Sequence, residues 1–153
     1  MSPSETRELQ LSVQTFVRTF GLLVTKQTPC GQPVSPSYAH ALMLLLEREA
    51  AGQTTLQSEL AEALGLDKSS IARLCSRLEA DERITQKPGV DDGRSRQLEL
   101  TGPGRKLATN IQAASLQRFS RVLGAIPAAK RRAVLGALQL LTQAVATLGE
   151  EEA

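Results

Sequence analysis

His40 is the only histidine in the chain, and it lies ten residues after Cys30, one of two cysteines; the other is Cys75. An imidazole and a thiol are the groups with which such a chain would do nucleophilic catalysis, or answer an oxidant. Catalysis needs a nucleophile, a base and an orienting carboxylate together, and His40 has no such company. No phosphate-cradling glycine loop and no paired histidine ligands occur either. The chain therefore reads as a non-enzyme without a cofactor. Cys30 sits in a Pro-Cys-Gly loop with Lys26 as its nearest cation in sequence, which gives weak support to a lowered-pKa sensing thiol. The other residues with chemistry to offer are arginines. Arg73 and Arg77 stand four apart among Ser69, Ser70 and Ser76, and Arg94 follows Asp92-Gly93. A guanidinium presents five N–H donors in a planar fork, suited to phosphates and to the acceptor edges of bases.

The elements that must position these groups can be read from pattern and composition. A length of 153 residues is that of one compact domain, long enough to bury about 70% of its unfolded surface. Hydrophobic residues make up 41%, charged residues 22% and aromatics 3%, a profile of Leu/Ala-rich helices. The formal charge is +2, so net charge announces neither nucleic acid nor a solvating acidic tail. Residues 56–106 hold nine basic and nine acidic side chains, so the arginine-bearing stretch is itself neutral. Two cysteines make no disulfide framework and no leader opens the sequence, which together imply a reducing cytoplasm. The longest apolar run, Ala41 to Leu46, is far short of the roughly 20 residues that cross a bilayer.

Leu9, Val13, Phe16, Val17, Phe20 and Leu23 recur at three and four, which predicts a first helix from Thr6 to Val24. Two prolines and a glycine between Pro29 and Pro33 break it. Ser35-Pro36 starts a second helix that runs to about Glu49 and is apolar nearly all round, hence central. Thr54 and Gln57 stand in capping-box spacing before a short helix that ends at Gly65. Asp67 caps another from Lys68 to about Asp81. Two short helices across a tight glycine turn make a helix-turn-helix. In the second of them Ile71, Leu74, Cys75 and Leu78 form the buried stripe, so Ser69, Ser70, Arg73, Ser76 and Arg77 face outward with almost no acid, as a helix lying in a major groove requires. Arg83–Lys87 and Arg96–Thr101 read as strands around an Asp-Gly turn, an arginine-tipped hairpin whose Arg94 suits a narrow minor groove. Thr101 caps a long helix containing Leu107, Ile111, Leu116 and Phe119, and Pro127 opens a last one containing Val134, Leu138, Val145 and Leu148. A small winged module cannot bury these helices and the first, so they are expected to pair with a second subunit. The fold class expected is mostly α with a small β-hairpin wing: a winged helix-turn-helix at 51–103 and dimerisation helices at 1–50 and 104–153.

The run from Leu56 through Gln57-Ser-Glu-Leu-Ala-Glu-Ala-Leu-Gly-Leu-Asp-Lys-Ser-Ser-Ile-Ala-Arg-Leu, then Asp92-Gly-Arg94 and Leu100-Thr-Gly-Pro-Gly-Arg105, resembles the MarR transcriptional regulators. The resemblance extends over nearly the whole chain and implies a dimeric DNA-binding regulator, usually a repressor, whose affinity is changed by a small molecule, an oxidant or a metal. It makes the helix from Lys68 the recognition helix, with Lys68, Ser69, Ser70, Arg73, Ser76 and Arg77 near bases or phosphates and Gln57 near the backbone. It makes Arg94 the minor-groove residue, with Asp92 as its brace, and sets Arg96 beside them where many relatives carry an apolar residue. The resemblance also implies an effector pocket where the dimer helices meet the winged module, with Tyr38 and His40 as lining and Cys30 nearby. Zinc-responsive members use a cysteine and a histidine in about this region and add histidines from the helix after the wing. Here residues 102–124 contain no His, Asp or Glu, so no metal is expected. The partners implied are double-stranded DNA, a second copy of the chain and a small effector. A winged-helix interaction module that does not bind DNA alone, and a redox sensor using Cys30, are the alternatives.

Overall fold

The computed structural model describes residues 2–151, which form two compact units, one ending at Ser115 and the other starting at Leu116. In the first, α1 (Pro3–Phe20) opens on a capping box: the Ser2 hydroxyl accepts the Glu5 N–H and the Glu5 carboxylate accepts the Ser2 N–H at 2.8 Å. Gly21, at φ 89°, ends it. The helix thus begins and stops before the limits read from its apolar spacing, because Ser2 and Gly21 supply the terminal hydrogen bonds. α2 (Pro36–Ala50) starts as expected, with the Ser35 hydroxyl accepting the Tyr38 N–H at 3.3 Å.

The next helix, α3 (Gln57–Leu64), departs from the sequence reading. Thr54 and Gln57 do not cap it. Thr55 and Leu56 instead form a two-residue strand, β1, and Glu59 accepts the Leu56 N–H at 2.9 Å while pairing with Arg48. Gly65, at φ 63°, closes α3, and Asp67 caps α4 (Lys68–Ala80). β2 (Ile84–Pro88) and β3 (Arg96–Leu100) pair antiparallel from Ile84 opposite Leu100 to Pro88 opposite Arg96, and β1 adds to the far edge of β3, giving the order β1-β3-β2. α5 (Gly102–Ala125) follows, running from the first unit into the second, and α6 (Ala128–Glu151) ends the described chain.

The core of the first unit gathers the apolar faces of α2, α3, α4, the sheet and the first half of α5. Leu42, Leu60, Leu78, Ile84 and Ile111 are its largest fully buried side chains. On α4, Ile71, Cys75 and Leu78 are buried as the stripe requires, while Leu74 is only partly covered. Burial pushes the Cys75 thiol up to about 11, with Glu79 adding a smaller repulsion, so the thiol stays protonated.

The corner between α4 and β2 is held tightly. Glu82 adopts φ 57°, the left-handed region that favours glycine, and its N–H reaches the Glu79 carbonyl while that of Arg83 reaches Leu78. Glu82→Gly is therefore expected to raise stability by about 0.5–1 kcal/mol, seen as a higher urea midpoint; a lower midpoint would mean that the Glu82 side chain contributes more than its backbone costs. The Thr101 hydroxyl donates to the Glu82 carbonyl at 2.6 Å and accepts the Gly104 N–H at 3.0 Å, so the predicted cap of α5 also ties that helix to the corner.

Among the described residues, α1 and α6 are largely exposed. α1 contains no buried residue, and Leu9, Val13 and Phe16 lie open, with Phe16 stacked on Phe20 at 5.2 Å. In the second unit Leu116 and Phe119 on α5, and Leu135, Leu138 and Leu148 on α6, are exposed. No helix of the described residues is long and apolar enough to cross a membrane.

Candidate nucleic-acid interface

α4 has one face in the core and the other in solvent because its apolar residues repeat at three and four. Lys68, Ser69, Arg73, Ser76 and Arg77 are exposed along it, and Ser70 is half-exposed. The helix start is ordered by Asp67, which accepts the Ser70 N–H at 2.7 Å and the Ser69 hydroxyl at 2.9 Å. These bonds hold its carboxyl below the usual range. The Ser70 hydroxyl in turn lies 3.4 Å from an Arg73 terminal nitrogen. Glu79, the acid on this helix, accepts the backbone N–H of Gln86 at 3.2 Å and its side-chain amide at 3.0 Å, so its charge is committed to β2. Gln57 is half-buried in the first turn of α3.

The hairpin loop is folded by its own backbone. The Asp92 carboxylate accepts the Arg94 N–H at 2.9 Å, and the Asp92 carbonyl accepts both the hydroxyl of Ser95, at 2.6 Å, and its N–H, at 3.0 Å. Asp92 therefore organises the loop through main-chain bonds. Arg94 stays exposed, as does Arg96 at the first position of β3, and Val90 at the tip is 91% exposed. Lys87 is committed to Glu99 across the strands at 2.6 Å. Among the described residues, Lys68 and Arg73 of α4 and Arg94 and Arg96 of the wing are exposed cations with no acid paired to them.

Sequence reasoning missed what lies beneath Arg77. Its guanidinium carbon sits 5.9 Å from the centre of the Tyr38 ring, and its Nε is 4.0 Å from Asp81 Oδ2. Tyr38 is 4% exposed, and its hydroxyl donates to the same Asp81 oxygen at 3.0 Å. Burial raises the Tyr38 pKa, Asp81 adds to the rise and Arg83 opposes it, so the phenol stays protonated and donating. Only the four-residue spacing of Arg77 and Asp81 signalled this contact; Tyr38 comes from another helix.

The three residues named for an effector or sensor are not brought together. Tyr38 is committed to Asp81, His40 is exposed on α2, and Cys30 is half-buried with its sulfur 3.0 Å from the Thr28 hydroxyl. A cavity of about 240 Å³ lies toward the other end of α2, lined by Leu45, Glu49, Thr55, Leu98 and Arg105 among others, and none of the three lines it. Among the described residues no group of three or more His, Cys, Asp or Glu side chains is placed to hold a metal.

Comparison with known proteins fits this geometry. Residues 32–95 match the sequence model of the MarR family. No curated protein matches the sequence. Among solved structures, a probable transcriptional regulator from Pseudomonas aeruginosa has a TM-score of 0.69 at 20% identity, over 87% of this chain and 96% of its own. BpsR of Bordetella bronchiseptica, whose DNA binding is regulated by 6-hydroxynicotinic acid, has a TM-score of 0.67 at 18% identity, over 93% and 96%. The S. aureus MepR–DNA complex gives 0.65 at 16%, over 93% and 96%. At these identities the likeness is one of fold, and it extends well beyond the matched segment. The chain has the winged helix-turn-helix fold of these solved proteins, and its residues 32–95 match the MarR family model.

Proposed function

We propose that the chain is a homodimeric, sequence-specific DNA-binding transcriptional regulator, a repressor released from its operator by a small molecule. The observation that carries this reading is the exposed face of α4, where Arg73 and Arg77 stand free of neighbouring acids other than Asp81, in the same unit as a hairpin that leaves Arg94 in solvent. In this reading α4 enters a major groove and the wing an adjacent minor groove, with Lys68, Ser69, Ser70, Ser76 and Gln57 contributing base or backbone contacts and Arg96 a phosphate contact. MepR has been solved on DNA and BpsR answers to a small aromatic acid, which supports the same division of labour here. The reader is assigned to 51–103 and the dimer contact to segments within 1–50 and 104–153. Within those, α1 and α6 are the natural contributors: among the described residues neither has a fully buried one, whereas Leu42 and Leu45 of α2 already belong to the core.

The test is selection of duplexes from a random-sequence pool by the purified chain, with sedimentation of the same sample. A pseudo-palindromic site with half-sites about one helical turn apart, bound by a dimer, is the expected result. No enrichment at low salt would leave a winged-helix module that meets proteins instead, and a monomer in sedimentation would remove the symmetric operator.

A further inference from the structure

We propose that Tyr38 and Asp81 are positioning residues for Arg77, fixing its guanidinium in the orientation in which it meets DNA; the inference rests on the DNA-binding reading above. An arginine whose side chain is 73% exposed would ordinarily sample many rotamers, and ordering it on binding would cost affinity. Arg77 instead has a neighbour on two sides. The Tyr38 ring, on the first turn of α2, lies beneath the guanidinium, and Asp81, which caps the end of α4, faces its Nε. Because Nε is the nitrogen turned to the carboxylate, the two terminal nitrogens remain for a phosphate or for the paired acceptors of a guanine.

The oxygen that faces Arg77 is the one that accepts the phenol's hydrogen bond. Tyr38 therefore decides where that oxygen sits. The phenol is itself buried, and the backbone N–H of Tyr38 donates to the Ser35 hydroxyl at 3.3 Å. A residue of α2 thus sets the pose of Arg77 through Asp81, which lies 43 positions from Tyr38 in sequence.

The experiment measures binding of the full chain to a duplex that the wild type enriches from a random pool, and to a mixed-sequence duplex of equal length. Tyr38→Phe keeps the ring and removes only the donor. It should weaken binding to the enriched duplex by about 3–10-fold, leave the mixed duplex nearly unchanged, and have no further effect in an Arg77→Ala background. Asp81→Asn supplies a second arm with an opposite alternative. Loss of a negative charge alone would tighten both duplexes, whereas loss of positioning weakens the enriched one. Equal effects of Tyr38→Phe with and without Arg77, or tighter binding of both duplexes by Asp81→Asn, would overturn the proposal. Failure of the wild type to enrich any duplex would instead sink the DNA-binding reading beneath it.

Discussion

Gly104→Ala is expected to destabilise the chain by about 3 kcal/mol or more, lowering its urea midpoint by roughly 1–3 M. Gly104 lies buried in the first turn of α5, and a Cβ there would fall inside the Arg83 carbonyl, which is main chain and has nowhere to go. Arg83 is pinned by its own N–H to Leu78 and by the Thr101 N–H, which donates to its carbonyl at 3.0 Å. Backing α5 away would break the bonds of the Thr101 hydroxyl to the Glu82 and Arg83 carbonyls as well. Gly102→Ala is the control: nothing lies within 4 Å of a Cβ at that position, and alanine favours helix over glycine, so stability should hold or rise slightly. A wild-type midpoint for Gly104→Ala would show that the corner between α4, β2 and α5 yields more easily than its hydrogen bonds imply.

Loss of Arg73 or Arg94 should have the largest effect on DNA binding, with a different signature for each. Arg73 is exposed at the middle of α4, with one terminal nitrogen near Ser70, so Arg73→Ala should cost about 1–3 kcal/mol per half-site and relax sequence preference at one position of each. In a dimer both half-sites lose the contact. Arg94 stands on a loop whose backbone Asp92 already organises, so Arg94→Ala removes a cation without unfolding the wing. Its binding should weaken on every duplex, with the slope of log K against log salt reduced by about one per subunit. Titration of both variants from low to moderate salt separates the cases: an unchanged slope for Arg94→Ala would place that side chain away from the phosphates, and an unaltered preference for Arg73→Ala would remove it from base contact.

Much of the fold was legible because its signals are local. A serine and a proline start α2, glycine ends α3, Asp67 starts α4, and apolar residues at three and four select the buried face of α4. What escaped depends on partners distant in the chain. β1 is two residues long and exists only because β3, some forty residues on, offers it a free edge, so Thr54 looked like a helix cap. Glu59 displaced the expected capping box because its carboxylate serves Leu56 and Arg48 together. Among the site residues, the outward set on α4 followed from periodicity alone. The commitment of Tyr38 to Asp81 did not, since two helices far apart in sequence must first fold against each other. A buried tyrosine and a pocket-lining tyrosine are the same letter in a sequence.

Cys75 carries a consequence of another kind. With 0% exposure and its thiol pushed up to about 11, it is shielded both from reagents and from forming the thiolate that would attack them. An alkylating probe can reach it only when α4 lifts from the core. The rate at which Cys75 is labelled in a Cys30→Ser chain therefore reports how often α4 opens, a built-in clock for the motion of the element proposed to enter the groove.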